Sequence, residues 1–378
     1  MRQEVGADRT LTINSGNLTR TTTKVDFEIK YRVLQTALKG YDMIGVEVFT
    51  PGVQELIYGR EMINKLHEYT KKSAIICANL AYPAPGIEPS RLFTVNHKKI
   101  LVTSIFDPKF EKKAIHGLKA SDPIAALNKA LKTPHDLAIA VLHFSDNKAR
   151  NIIRRVAGLN IAVLATQRGV FRKIELIKGC CLVKNNNHGK TVGYLDWNFS
   201  SNSPTRLKLV KVEKSTFKAD PKVAKLVDEY EQWLRKHYIK KEKQEEETLN
   251  EKAAGINYVG NQACGTCHPK ITASWQTTRH ARAYASLQKK CKDYCPDCLP
   301  CHVTGSRQHN KKGFQSPAST PNLFNVQCEE CHGPAQDHIK DPKLNYGLKI
   351  DKKTCTACHN SNTDPEFSFA HDLPLISH

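Results

Sequence analysis

Over residues 10–215 the apolar positions switch repeatedly between a short-run pattern and a helical one. Asp42–Val48 is a compact apolar run and predicts a buried strand. In Gly52–Lys71 the residues Leu56, Ile57, Met62, Ile63 and Leu66 recur at helical spacing. Further strands are expected at Ser73–Leu80, Lys99–Phe106, Asp136–Phe144 and Asn160–Ala165, with helices at Asp122–Leu131 and Asn147–Val156. Short β-rich runs follow at Ile174–Val183, Thr191–Trp197 and Leu207–Val212. Strands alternating with helices predict an α/β layered domain, and the closing cluster of strands predicts mixed sheets with an antiparallel part. The longest apolar run, Leu137–Leu142, has the length of a strand and falls far short of the ~20 residues that a membrane helix needs.

From Asp220 to about Glu251 the pattern becomes a single helical one. Val223, Leu226, Val227, Tyr230, Trp233 and Leu234 share a spacing, and Lys240–Glu247 is wholly polar. Asp220-Pro221 is a helix start, with the proline in the first turn. The chain therefore reads as an N-terminal domain over 1–216, a helical linker over 217–255 and a second domain over 256–378.

The second domain contains the string Cys-x-x-Cys-His four times: Cys264-Cys267-His268, Cys298-Cys301-His302, Cys328-Cys331-His332 and Cys355-Cys358-His359. This is the attachment signature of c-type haem. Two nearby thiols reach the two vinyl groups of one porphyrin and form thioethers, and the next histidine is held where its imidazole meets the iron. Zinc ribbons also use Cys-x-x-Cys pairs, but they do not require a histidine after every second cysteine. The same four histidines argue against a disulfide framework. The expectation is four covalently bound haem c groups on a mainly α, loop-rich domain. About thirty residues per haem cannot build an ordinary side-chain core, so the porphyrins should pack against Trp275, Tyr284, Phe314, Phe324, Phe367 and Phe369.

Eight of the thirteen cysteines lie in these motifs. Cys291 and Cys295 sit just before the second motif, to pair or to stay free, while Cys77, Cys180 and Cys181 read as buried thiols. The formal charge is +20, with lysines spread along the whole length and no nucleic-acid motif beside them. That favours docking to an acidic redox protein. Homo-oligomerisation or assembly into a larger redox complex stays open. The residues after Met1 lack the apolar core of a signal peptide, yet haem c is attached outside the cytoplasm in bacteria. A periplasmic or otherwise extracytoplasmic location is expected, with the numbering starting after a removed leader or at a truncated start.

The sixth ligand of each iron decides what the domain can do. Met1, Met43 and Met62 all lie upstream, so the choices are histidine or an open position. The histidines outside the motifs are His280, His309, His338, His371 and His378, and His309, in a Lys/Asn-rich loop, reads as a surface residue.

The stretches Tyr258–His268, Trp275 with Thr278-Arg-His280-Ala-Arg-Ala, Cys298–Gly305, Val326–Pro334 with His338, and Cys355–His359 followed by Asp364–Phe369 resemble the tetraheme cytochrome c-554 family. That resemblance implies electron transfer through closely stacked haems. It also implies distal roles for His280 and His338, a five-coordinate haem on His302, and His378 rather than His371 as a ligand. The N-terminal half is similar to the metallophosphatase domain of 5′-nucleotidase-like proteins, which implies a fold of mixed sheets flanked by helices. The family's metal ligands are missing. Its first Asp-x-His would precede residue 1 or is lost, its Gly-Asp falls at about Gly16-Asn17, its Gly-Asn-His-Glu at Gly45–Val48, and its Gly-His-x-His near Thr166–Gly169. His143 is at most a remnant. The expectation is a degenerate, non-catalytic domain used for docking or assembly. The alternatives are a haem redox enzyme acting on a small nitrogen compound at an open iron, and a residual phosphohydrolase.

Overall fold

The computed structural model describes residues 5–19, 27–114, 117–165, 174–184, 189, 191–213, 215–245, 247, 257–306, 313–360 and 363–377. His309, His378 and the Thr166–Gly169 stretch lie outside the described residues. The chain divides into two compact units, Met1–Val227 and Asp228–His378.

In the first unit, strands β1 (Ile13–Asn14), β2 (Val48–Phe49), β3 (Ala74–Ile76) and β4 (Ile87–Glu88) form a parallel sheet in that order. A six-stranded mixed sheet follows, built from β5 (Ser90–Val95), β6 (Lys98–Phe106), β7 (Leu137–His143), β8 (Ile161–Leu164), β9 (Glu175–Ile177) and β10 (Cys180–Val183). Its order is β5-β6-β7-β8-β10-β9, with antiparallel pairs only at its two ends. Strands β11 (Thr191–Asn198) and β12 (Ser203–Lys211) make a separate antiparallel ribbon. The helices are α1 (Phe27–Ile44), α2 (Val53–Leu56), α3 (Gly59–Tyr69), α4 (Pro123–Ala130), α5 (Asp146–Arg155) and α6 (Pro221–Gln244).

Side-chain alternation explains the layering. Strand residues point to opposite faces in turn. On β7, Ala138, Ala140 and Leu142 join Leu127 of α4 and Ile152 and Ile153 of α5 in one core cluster. Leu137 and Ile139, on the other face, join Val48, Ala74 and Ile76 of the parallel sheet. That sheet's own outer face meets Leu34 and Leu38 of α1 and Met62, Ile63 and Leu66 of α3. The result is helix, sheet, sheet, helix, in which each fully buried Leu or Ile contributes on the order of 2 kcal/mol.

Two expectations are corrected here. Asp42–Val48 is not one strand: Asp42, Met43 and Ile44 end α1, with Met43 and Ile44 exposed, and β2 starts only at Val48. Asp42 instead faces the Thr70–Ser73 turn, accepting from Thr70 Oγ1, Lys71 N and Ser73 N. The helix over Gly52–Lys71 is broken at Ile57-Tyr58 into α2 and α3.

Helix α6 starts where Asp220 accepts hydrogen bonds from Lys222 N and Val223 N at 2.9 and 3.1 Å. Within the first unit Val223 and Leu226 adjoin Gly40 of α1. Within the second unit the rest of α6 is tied down by Glu231 to Lys292, Arg235 to Asp293 and Glu242 to the amide of Ala318. Of Lys240–Glu247 the described residues are exposed apart from half-buried Glu242.

The second unit consists of short helices: α7 (Asn261–Cys267), α8 (Pro269–Thr277), α9 (Ala283–Gln288), α10 (Cys328–His332), α11 (Gln336–Lys340), α12 (Lys352–Thr356) and α13 (Phe369–Asp372). Among its described residues the β pairing is one bridge, Val303 to Phe324. A small side-chain core does form, from Tyr258, Tyr284, Val303, Phe314 and Leu323, with Phe324 stacked on Tyr284 at 3.8 Å. Of the expected aromatics, Tyr284 and Phe314 are buried, and Trp275 anchors itself by donating Nε1–H to Val326 O at 2.9 Å. Among the described residues no helix is long and apolar enough to cross a membrane.

Candidate haem-binding site

Each motif sits on a short helix or tight turn, which places both of its thiols on one side of the backbone. Cys264 and Cys267 close α7, and the amide of His268 donates to Cys264 O at 2.8 Å. The second motif is a 3₁₀ turn, Leu299–Cys301, ended by the His302 amide donating to Leu299 O at 2.8 Å. The third motif is α10 itself. The fourth begins on α12, and the His359 amide donates to Cys355 O at 2.9 Å. None of the thirteen cysteines is in a disulfide. Cys77, Cys180 and Cys181 are buried, and burial pushes their thiols up to about 12, 12 and 11.

The fold brings the motifs together. Helices α7 and α10 pack against each other, so the first and third motifs meet. His280 lies one turn beyond α8, its ring 6.1 Å from that of His359, centroid to centroid. Burial, then the neighbouring His359, lowers the pKa of His280 and favours the neutral imidazole, the form that binds metal. The segment after the second motif reaches the third: Gly305 N donates to Glu330 Oε2 at 2.6 Å, and Thr304 Oγ1 accepts from Gln327 N at 3.0 Å.

Two of the motif histidines have the environment that a ligating histidine needs, with the far ring nitrogen held by an acceptor. His302 Nδ1 is 2.8 Å from Ala283 O, and His359 Nδ1 is 2.8 Å from Asp364 Oδ2. That leaves Nε2 of each for a metal. Phe367 stacks on His359 at 5.0 Å and steadies its plane. His338, on α11, stacks on Tyr346 at 4.8 Å, and Tyr346 also neighbours His332 at 6.5 Å. His371 instead points its Nδ1 at Asp372 and is exposed. These residues fit haem held by thioethers and imidazoles. Haem bound this way supplies reversible one-electron chemistry at iron.

Glu329 and Glu330, between the cysteines of the third motif, were not singled out by pattern, yet both are buried. Glu329 accepts from Val259 N, Gly260 N and Ala335 N, so it ties the chain before the first motif to the chain after the third. Glu330 holds the loop that follows the second motif. That loop is pinched at its base: Gly313 N donates to Gly305 O at 3.0 Å, and a Cβ on Gly305 would lie 2.6 Å from Gly313 Cα. Gly305 has φ +76° and can be little else but glycine. A signal was present in the paired carboxylates at an otherwise apolar turn, but only the tertiary fold supplies the backbone donors.

In the first unit, the loops after β1 and β2 meet. Gly16 has φ +70°, and a Cβ there would lie 2.3 Å from Thr50 O. The facing loop is Thr50–Glu55, whereas Gly45–Val48 leads into β2. Glu55 is turned inward, accepting four backbone N–H groups. His143, at the end of β7, is fully buried, with Nε2 at 3.2 Å from Thr50 Oγ1. Burial lowers its pKa to about 3. Asn17, Val53 and Gln54 offer none of the carboxylate and imidazole donors that hold two cations and a bridging hydroxide, so the described residues do not fit a two-metal centre.

Comparison with known proteins agrees with this division. Residues 263–333 match the family model "Cytochrome c554 and c-prime". Cytochrome c-554 of Nitrosomonas europaea is 33% identical over a 141-residue alignment, covering 28% of this chain and 59% of that protein. The chain thus spans a little over half the length of this curated relative. A sulfate thiohydrolase SoxB of Thermus thermophilus superposes with TM-score 0.52 at 11% identity, covering 61% of this chain and 44% of its own. A 5′-nucleotidase precursor from Thermus thermophilus gives TM-score 0.53 at 15% identity, covering 62% and 51%. At such identities the likeness establishes the fold alone. The N-terminal unit thus shares the fold of these 5′-nucleotidase and SoxB structures, and the C-terminal unit is similar over residues 263–333 to the cytochrome c554 and c-prime family.

Proposed function

We propose that this chain is an extracytoplasmic electron carrier with four covalently bound haems, each held by one Cys-x-x-Cys-His motif. His268, His302, His332 and His359 are the proximal ligands, and His280, His338 and His378 supply three sixth ligands. The observation that carries the reading is the pairing of His280 with His359. Two imidazoles bound to one iron at ~2 Å each put their ring centroids roughly 6 Å apart, and these two are 6.1 Å apart. His359 is also braced from behind by Asp364. This spacing supports a reading in which His280 and His359 would together hold the haem of Cys355 and Cys358 as a bis-histidine, low-spin site. The haem on His302 keeps an open position. The +20 charge suits an acidic redox partner.

A redox titration followed by electron paramagnetic resonance, with haem staining and intact mass, tests this. The expected result is four covalent haems, three low-spin and one high-spin, the last binding carbon monoxide when ferrous. A mass with fewer than four haems in matured protein overturns the count. Four low-spin signals, falling to three in His309→Ala, would make His309 the missing ligand.

The N-terminal unit acts in docking or assembly and not in hydrolysis. Support comes from Asn17, Val53 and Gln54 standing at the sheet edge where metal donors would be needed. Steady turnover of nucleotides or sugar phosphates by pure protein with added Mn²⁺, Zn²⁺ or Co²⁺ would overturn this.

A further inference from the structure

Cys295 stands three residues before Cys298, and Cys298 three before Cys301. One cysteine thus belongs to two overlapping Cys-x-x-Cys registers, and only the second ends in a histidine. The local fold favours the first register as much as the second. Cys298 N and Leu299 N both donate to Cys295 O at 3.0 Å, closing a turn. The turn sets Cys295 and Cys298 next to each other, three residues apart. Both side chains are half-buried, under α6, where Tyr230 senses Cys295 and Asp297. The segment is held there by Asp293 on Arg235 and Lys292 on Glu231.

We propose that Cys295 and Cys298 form a reversible disulfide that gates haem attachment at the second motif. In the oxidised state the two thiols lose two electrons and two protons to a disulfide oxidant, the S–S bond forms, and Cys298 has no thiol to add to a vinyl group. A dithiol reductant restores both thiols by exchange, becoming a disulfide itself. Cys298 S–H then adds across the vinyl carbon–carbon bond, forming C–S and C–H with no net redox change. The neighbouring Cys298 side chain lowers the pKa of Cys295 and so favours its thiolate, the attacking form in such exchange. No other motif has a cysteine three residues ahead of its first thiol: the corresponding residues are Asn261, Asn325 and Lys352. The gate therefore acts on one haem of the four. This inference rests on the reading that Cys298, Cys301 and His302 hold haem.

The test uses the full chain matured in a bacterial periplasm with and without added dithiol reductant. Intact mass and mapping of the 291–302 peptide after alkylation read haem and thiol state at each motif. In wild type under oxidising maturation, haem at the second motif should fall severalfold below the other three, and the haem-free fraction should carry a Cys295–Cys298 disulfide. Cys295→Ser should restore the second motif to parity without reductant. Equal occupancy at all four motifs in oxidising wild type, or a Cys298–Cys301 or Cys291–Cys295 disulfide in its place, overturns the gate. If Cys295→Ser lacks haem at the second motif even with reductant, while the other three are loaded, the haem assignment of that motif fails instead.

Discussion

Arg235 holds Asp293 through two 3.1 Å hydrogen bonds, Nε to one carboxylate oxygen and Nη2 to the other. The partners are unequal: the Arg235 side chain is 45% exposed and that of Asp293 only 3%. Removing either breaks the same pair, but the residue left behind differs. Arg235→Ala strands a buried carboxylate and should cost roughly 3–5 kcal/mol. Asp293→Asn leaves an arginine that water can reach and should cost about 1–2 kcal/mol. Chemical denaturation of both variants checks the order, and equal losses would mean that the pair is effectively solvated.

The pairing of His280 with His359 predicts a spectroscopic change with little loss of haem. His280→Ala should convert one low-spin iron to high spin and leave the covalent haem count unchanged, because no thioether is touched. Removing a metal ligand's brace typically weakens the site tenfold or more. Asp364→Ala should therefore shift the potential of the same haem without changing the spin of the others. An unaltered low-spin count in His280→Ala would place that histidine outside any iron's coordination.

Buried His143 predicts a pH dependence of stability. Its folded pKa of about 3 lies below the ordinary 6.5, so the unfolded chain takes up the proton first. The contribution is fully present above about pH 6.5 and is lost as pH falls toward 3. His143→Gln should flatten that limb, so its deficit at pH 7 narrows or reverses at pH 5. Urea midpoints of both proteins at the two pH values measure this, and parallel curves would show that His143 does not titrate on unfolding.

Glu55 predicts the cost of one oxygen. Its carboxylate receives Asn17 N and Gly52 N at 2.8 Å on Oε2, and Leu18 N at 2.7 Å and Thr19 N at 3.3 Å on Oε1. In Glu55→Gln one side of the group becomes an N–H₂ donor facing N–H donors. The loss should be roughly 2–4 kcal/mol, with the denaturant slope unchanged. A loss below the error of the measurement would mean that the two loops hold each other without this anchor.

What pattern alone can show follows from how local each determinant is. The Cys-x-x-Cys-His strings, the Asp220-Pro221 cap and the apolar run Leu137–Leu142 of β7 are decided within a few residues and are legible from the sequence. The end of α1 is not. Met43, Ile44 and Val46 look like a strand, but Met43 and Ile44 lie exposed at a helix end and only Val46 is buried. Glu329 and Glu330 look like surface charges until the backbone amides of Val259, Gly260, Ala335 and Gly305 are seen to converge on them. Nothing local predicts donors contributed from as far as 70 residues away.

The glycine pinch between Gly305 and Gly313 closes the chain on itself at two backbone positions. The two positions are fastened to each other by a backbone bond, and the Gly305 amide also donates to the side-chain carboxylate of Glu330. Lengthening a closed loop costs only about 0.6 kcal/mol per doubling. A tag or surface-binding peptide inserted between these two glycines should therefore leave the pinch itself, and its bond to Glu330, in place.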